Sequence, residues 1–378
     1  MSKVLLADVA AERRETCKGR KDGYPVVGLE HLIPEEITLT TWSDGSDNTF
    51  TKMFRKGDIL FGRRRAYLKK AAVAPFDGIC SGDVTVIEAK PKYLLPELLP
   101  FIIQNDALFD FAVEKSAGSL SPRVKWEHLK NYEFELPDME QQRKLAELLW
   151  AMDATRKSYQ QLISATDELV KSQFLGEFGD PVANPMHWKT TPLLEMGKCK
   201  NGMNFSTKDS GFDISCLGVA DFQSRLTIHE DTPLSGISLN EMPGEDYLLK
   251  NGDIVFVRSN GNKELVGRSV LVKFTGRVAT FSGFCIRFRK EANCLNEIYL
   301  LHLLRMDSVR KKLRGRGANV QNLSQQTFAN IDVPLPPLHL QEQFAAFVHQ
   351  SDKSKFELEQ ALSELTATYK RIISEQLG

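Results

Sequence analysis

The sequence predicts an α+β protein with two similar mixed α/β globular domains. They are separated by two long helices packed as an antiparallel coiled coil, and the arrangement has pseudo-two-fold symmetry. Three observations carry this expectation. Framework segments occur twice in the same order, each copy is followed by a long periodic stretch without glycine or proline, and 378 residues suffice for two or three domains.

The repeats come first. Gly57-Asp58-Ile59-Leu60-Phe61 returns 195 residues later as Gly252-Asp253-Ile254-Val255-Phe256. Gly118 to Pro137, GSLSPRVKWEHLKNYEFELP, returns 199 residues later as Gly317 to Pro336, GANVQNLSQQTFANIDVPLP. Both versions run from a glycine-containing turn through a short helix-like segment into a strand ending in Leu-Pro, where proline removes a ladder donor and stops the strand. Val27-Gly28-Leu29-Glu30 resembles Leu217-Gly218-Val219-Ala220. These matches imply two diverged copies of one unit.

A helix closes each copy. Leu145, Leu148, Met152, Thr155, Tyr159, Leu162, Thr166 and Leu169 alternate steps of three and four, with no glycine or proline from Glu140 to Phe174 and a stop expected at Gly176. The second stripe is Phe344, Val348, Ser351, Leu358, Leu362, Leu365, Tyr369 and Ile372. Helices of about 35 residues, roughly 50 Å long, need a partner for their apolar stripe, and each is expected to pack on the other. Thr155, Thr166, Ser351 and Lys355 predict a seam that is not fully dry. The expected organisation is therefore a first domain over 1–139, a spacer helix over 140–178, a second domain over 179–337 and a second spacer helix over 338–378.

Composition narrows the function. Hydrophobic residues at 42% and charged residues at 26% suit a folded, soluble chain. No apolar run is long enough to span a membrane and no secretory signal is seen, so a cytoplasmic location is expected. The cysteines (Cys17, Cys80, Cys199, Cys216, Cys285, Cys294) form no C-x-x-C pair, so no zinc site is predicted. A net charge of zero leaves DNA binding to local clusters. Arg63, Arg64, Arg65, Lys69 and Lys70 fall within eight positions. Arg258 and Arg268 flank a polar loop, and Arg310, Lys311, Lys312, Arg314 and Arg316 lead into Gly317-Ala318-Asn319-Val320. Charge beside mobile glycines suits close approach to phosphates.

Catalytic motifs fare poorly. Asp77, Glu88 and Lys90 resemble a PD-(D/E)xK nuclease set, but the second copy's strand, Phe284 to Lys290, has no acid. Asn184-Pro185-Met186-His187-Trp188 only faintly resembles an adenine methyltransferase loop and lacks the second proline. No G-x-x-x-x-G-K-[ST] loop occurs. No catalytic or metal site is expected.

The run Gly62 to Ala74 followed by Phe76 to Asp83 resembles type I restriction-modification specificity subunits. So do Val333 to Leu338 with Gln341-Glu342-Gln343-Phe344-Ala345, the weaker Leu136 to Gln142, and Gly179-Asp180-Pro181 through to Trp188. The resemblance implies a non-catalytic subunit with two target recognition domains, each reading half of a bipartite, asymmetric site in double-stranded DNA. It implies helices that set the gap and dock two methyltransferase subunits, with two restriction subunits joining for cleavage. S-adenosylmethionine, ATP and Mg2+ would belong to those partners, with no cofactor in this chain. A structural or adaptor protein with two protein-binding domains and a helical rod is the alternative class.

Overall fold

A computed structural model describes residues 2–19, 21, 23–45, 48–206, 208–223, 225–314 (Arg314 by its backbone alone) and 322–378. In chain order, β1 (Ser2–Leu5), α1 (Leu6–Val9), β2 (Ala10–Glu12), β3 (Pro25–Val27), β4 (Ser43–Asp44) and β5 (Lys52–Phe54) lead to the hairpin strands β6 (Ile59–Gly62) and β7 (Ala71–Val73). Then come β8 (Gly78–Cys80), β9 (Val84–Ala89), α2 (Leu99–Ile103), α3 (Asp106–Glu114), α4 (Trp126–Leu129) and β10 (Glu133–Leu136), and the long α5 (Met139–Phe178) follows. The second copy supplies β11 (Thr190–Pro192), β12 (Gly197–Asn201), β13 (Phe212–Leu217), β14 (Thr227–His229), β15 (Ser235–Leu239), and the hairpin β16 (Ile254–Val257) and β17 (Ser269–Lys273). It closes with β18 (Ala279–Phe281), β19 (Cys285–Lys290), α6 (Glu297–Arg305), α7 (Asp307–Arg314), α8 (Gln325–Ala329), β20 (Asp332–Pro334) and the long α9 (Leu338–Leu377).

The chain forms two compact units, one of residues 1–162 with 357–378 and one of residues 163–356. Each unit is built on the same plan. In the first, one sheet has strand order β2-β9-β6-β7, a second has β4-β3-β8-β5, and β1 pairs antiparallel with β10. In the second, the orders are β12-β19-β16-β17-β14 and β15-β13-β18, and β11 pairs with β20. A parallel pairing recurs in each, β3 with β8 and β13 with β18.

The repeated sequence segments have physical causes. Gly57 (φ 90°) and Gly252 (φ 85°) occupy the left-handed region that favours glycine. The aspartate that follows accepts the backbone N–H three residues earlier, Asp58 from Arg55 at 2.7 Å and Asp253 from Lys250 at 2.7 Å. Each buried carboxylate also receives an arginine fork. Arg13 reaches Asp58 at 2.6 and 3.1 Å, and Arg289 reaches Asp253 at 2.7 and 2.7 Å. The Leu-Pro repeats mark where each strand hands over to a long helix. Five residues after the proline, a buried glutamine donates back to it, Gln142 to the Pro137 carbonyl at 2.9 Å and Gln341 to the Pro336 carbonyl at 2.8 Å. The same amides accept from the backbone of the segment before a helix, Leu95 N–H at 2.8 Å and Asn296 N–H at 2.9 Å.

Each long helix contributes one part of its length to each unit. In the first unit Leu145, Leu149 and Met152 join one core with Tyr369, Ile373 and Leu377, and the Arg156 guanidinium lies 5.0 Å from the Tyr369 ring centre. In the second unit Phe174 packs edge-on to Phe344 at 5.4 Å, and Lys355 pairs with Asp167 at 2.7 Å, which sets the two segments antiparallel. Along the second stripe Phe344, Val348, Ser351 and Tyr369 are buried and Leu358, Leu362 and Leu365 half-buried. The first stripe is mixed, with Leu145 and Met152 buried. Leu148, Leu162 and Leu169 are exposed, and burial follows Leu149, Arg156 and Val170 instead, with Tyr159 half-buried between them. Apolar residues stand on two faces of α5, and the core chose the face that also carries Phe174 and Phe178. Those phenylalanines also explain why Gly176 does not stop the helix. Phe178 stacks edge-on to Tyr299 at 4.9 Å and draws the helix one more turn, to Gly179 at φ 76°.

Two outcomes test this account. Asp253→Ala leaves the Arg289 guanidinium without its buried counter-charge and should cost the second unit about 3–5 kcal/mol in urea unfolding; a loss below about 1 kcal/mol would contradict the role given to the fork. Phe174→Ala should cost about 3–5 kcal/mol, whereas Leu169→Ala on the exposed face should stay within roughly 0.5 kcal/mol of the parent; equal losses would return the stripe to the phase expected from the sequence.

Candidate nucleic-acid interface

The two hairpins present equivalent positions. Arg63 follows β6 and Arg258 follows β16. The Arg63 carbonyl accepts from Val124 N–H at 3.0 Å, and the Arg258 carbonyl accepts from Leu323 N–H at 2.8 Å. One step back, Gly62 N–H donates to Lys70 and Val257 N–H donates to Arg268, at 2.8 and 2.9 Å. Arg63 therefore matches Arg258, and Lys70 matches Arg268, at the base of each hairpin. The Nε atoms of both Arg63 and Arg258 are buried and make no hydrogen bond among the described residues. A buried donor without an acceptor costs about 1–3 kcal/mol, so a polar partner at both places would be strongly favoured.

The five basic residues of the first cluster are engaged differently. Arg64 donates from Nε to Ser121 Oγ at 2.6 Å and lies 3.6 Å from Asp83. Arg65 is exposed and left-handed at φ 54°. Lys69 is tied to Asp106 at 2.5 Å, and that hydrogen bond holds its ammonium above the ordinary lysine range. Lys70 donates to the Leu29 carbonyl at 2.7 Å. In the second copy, Arg268 donates to the Gln223 carbonyl at 2.9 Å and Arg310 to the Glu264 carbonyl at 3.2 Å. Lys311 and Lys312 are exposed on α7, whose last residue is Arg314. The Arg314 side chain, Arg316 and Gly317 to Val320 lie outside the described residues.

The structure adds a loop that sequence reading treated as framework. Arg65 N–H donates to the Pro122 carbonyl at 2.8 Å, and Arg123 forks onto Asp83 at 2.7 and 3.2 Å, which fastens the Gly118–Pro122 loop beside the first hairpin. The Arg123 hydrogen bond holds the Asp83 carboxyl below its usual range. Leu120 is 92% exposed at the tip of this loop, and Tyr67 is exposed on the hairpin itself. The Ser-Leu-Ser-Pro turn within the repeat was the available signal.

Each of the nuclease-like residues is engaged by another group. Asp77 pairs with Arg55 at 2.9 Å, Glu88 with Arg13 at 2.6 Å, and Lys90 donates to the Ala7 carbonyl at 2.5 Å. Among the described residues no group of three or more His, Cys, Asp or Glu side chains is arranged to hold a metal ion. No described helix is long and apolar enough to cross a membrane.

Comparison with known proteins agrees with the doubled plan. The family model for the type I restriction modification DNA specificity domain matches twice, at residues 11–165 and 185–366. The type I restriction enzyme StySPI specificity subunit of Salmonella potsdam is 22% identical over 304 residues, covering 75% of this chain and 65% of that protein. This chain thus spans a little under two thirds of that relative's length. The MjaVIII specificity subunit of Methanocaldococcus jannaschii is 25% identical over 112 residues, 30% of this chain and 25% of its own. Among solved structures, a chain from a type I R-M system superposes with TM-score 0.61 at 19% identity, covering 99% of this chain and 97% of that one. The type I S subunit from M. genitalium gives 0.57 at 14% identity, covering 100% and 96%. At such identities the superpositions establish the fold, while the family model covers most of the chain in two copies: the chain belongs to the type I restriction modification DNA specificity domain family.

Proposed function

We propose that the chain is the non-catalytic DNA specificity subunit of a type I restriction-modification complex. Each domain reads one half of a bipartite, asymmetric duplex target and so directs adenine methylation or restriction by partner subunits. The observation that carries this reading is the equivalence of Arg63 and Arg258, each at the base of a hairpin with a buried Nε that makes no hydrogen bond among the described residues. The same donor placed in both copies is what two readers of one duplex require, since phosphate contacts position a protein and base contacts specify it. In domain one Arg63, Arg64 and Arg65 are the primary DNA-facing residues. Lys69 and Lys70 are committed to protein acceptors and become available only by exchanging them. In domain two the corresponding residues are Arg258, Arg268, Arg310, Lys311, Lys312, Arg314 and Arg316.

The partners in this proposal are two methyltransferase subunits and two restriction subunits, which supply the S-adenosylmethionine, ATP and Mg2+ chemistry. The spacer stripes of α5 and α9 set the gap between half-sites, through Leu145, Met152 and Tyr159 on one and Phe344, Val348, Leu358, Leu362, Leu365 and Tyr369 on the other.

Methylation mapping with the reconstituted complex should yield two fixed half-sites at a constant gap. Arg63→Gln and Arg258→Gln should each weaken modification while the folded chain still assembles with its partners. Neutralising Arg64 and Arg65 together should lower the salt dependence of duplex binding by about one per lost phosphate contact. Modification that does not depend on this chain, or an unchanged salt slope, would overturn the respective part of the reading.

A further inference from the structure

A cavity of about 370 Å³ in the second unit gathers four guanidinium groups. Ser269 opens β17 and Arg268 precedes it, Arg305 comes from the last turn of α6, Arg310 from α7, and Arg225 from the segment before β14. Asp167 is the carboxylate in its lining, and its oxygens lie 2.7 and 2.8 Å from Lys355 Nζ. The arginines are held in place by neutral acceptors. Arg225 donates to the Asp221 carbonyl at 3.0 Å, Arg268 to Gln223 at 2.9 Å, and Arg305 to Ser269 at 2.9 Å. None of these three forms an ion pair among the described residues.

A guanidinium carries five N–H donors, and a carbonyl positions it without cancelling its charge. Converging positive charge in a partly desolvated space is costly unless an anion joins it. That cost is visible at Arg305, where burial first, then Arg310 and Arg268, bring the guanidinium down to about 10. Ser269 is also among the residues that line the cavity. Its hydroxyl is buried and makes no hydrogen bond among the described residues. A hydroxyl donor and several guanidinium forks around one space match a tetrahedral oxyanion with acceptor oxygens on every side.

We propose that this cavity is a phosphate site, formed by Arg225, Arg268, Arg305 and the Ser269 hydroxyl. Two sources present that group, the backbone of a duplex bound to domain two and free inorganic phosphate. The first source rests on the proposed function and the site itself does not.

The test uses the full chain and inorganic phosphate as the probe, titrated calorimetrically against chloride at matched ionic strength. The wild type should bind one phosphate. An R225Q/R268Q double variant should bind at least about tenfold more weakly, because two charge-assisted donors are lost. Ser269→Ala removes only the orphan hydroxyl, is compatible with the fold, and should weaken phosphate several-fold. Absence of phosphate binding in the wild type, or equal affinity in all three proteins, overturns the site. Duplex binding then identifies the source. A salt slope reduced by about one in the double variant places a backbone phosphate in the cavity. An unchanged slope, with phosphate binding lost in the variant, assigns the site to the free anion. A chain that binds phosphate but no duplex refutes the proposed function and leaves the site standing.

Discussion

The buried carboxylate after the turn glycine is the constraint on which the β6–β7 and β16–β17 hairpins depend. Asp58 and Asp253 are almost fully buried, and a charge in that position is tolerated only when paired and hydrogen-bonded. Each meets the requirement twice, through the backbone of its own turn and through a two-pronged arginine. The copies differ in where the arginine comes from. Arg13 follows β2, whereas Arg289 lies on β19, the immediate neighbour of β16. The acceptor has stayed in place in both copies while the donor has moved to another strand. The same charge pair is thus kept in the corresponding sheet of each copy with the donor on a different strand, and β6 and β16 lead into Arg63 and Arg258 alike.

The glutamines at the helix starts act in a comparable way at the other end of each domain. Gln142 and Gln341 each use both ends of the amide, so that the Leu-Pro strand end, the first helical turn and a segment across the domain share one buried group. An amide neither titrates nor needs a counter-charge, which makes it a suitable rivet in a place closed to water.

These features explain what could be read from the sequence. The Gly-Asp and Leu-Pro repeats were legible because backbone geometry at φ near 90°, and a strand that must stop, restrict the residues allowed. The existence of the long helices was legible from the missing glycine and proline. The burial phase of α5 was not, because Leu148, Leu162 and Leu169 form as regular a stripe as the line through Leu149, Arg156 and Val170, and tertiary contacts with Phe344 and Tyr369 decide between them. The basic clusters were legible as charge but not as surface. Lys69 is neutralised by Asp106, and Arg64 leans on Asp83 and Ser121, partners far along the chain. Arg225, Arg305 and Ser269 gave no local signal at all, since the packing of α6 against β17 and the pairing of β14 with β17 bring them together.

The division of α5 and α9 between the units bears on how the protein is made. The second unit is one unbroken stretch, 163–356, but the first is completed by residues 357–378. Tyr369, Ile373 and Leu377 belong to its core, and the Asn105 amide, itself the cap of α3, donates to the Leu377 carbonyl at 3.0 Å. On a ribosome, the unit translated first is therefore the one finished last. Its core stays open along the face that α9 will cover until the final helical turns emerge, while the second unit already holds every residue it needs.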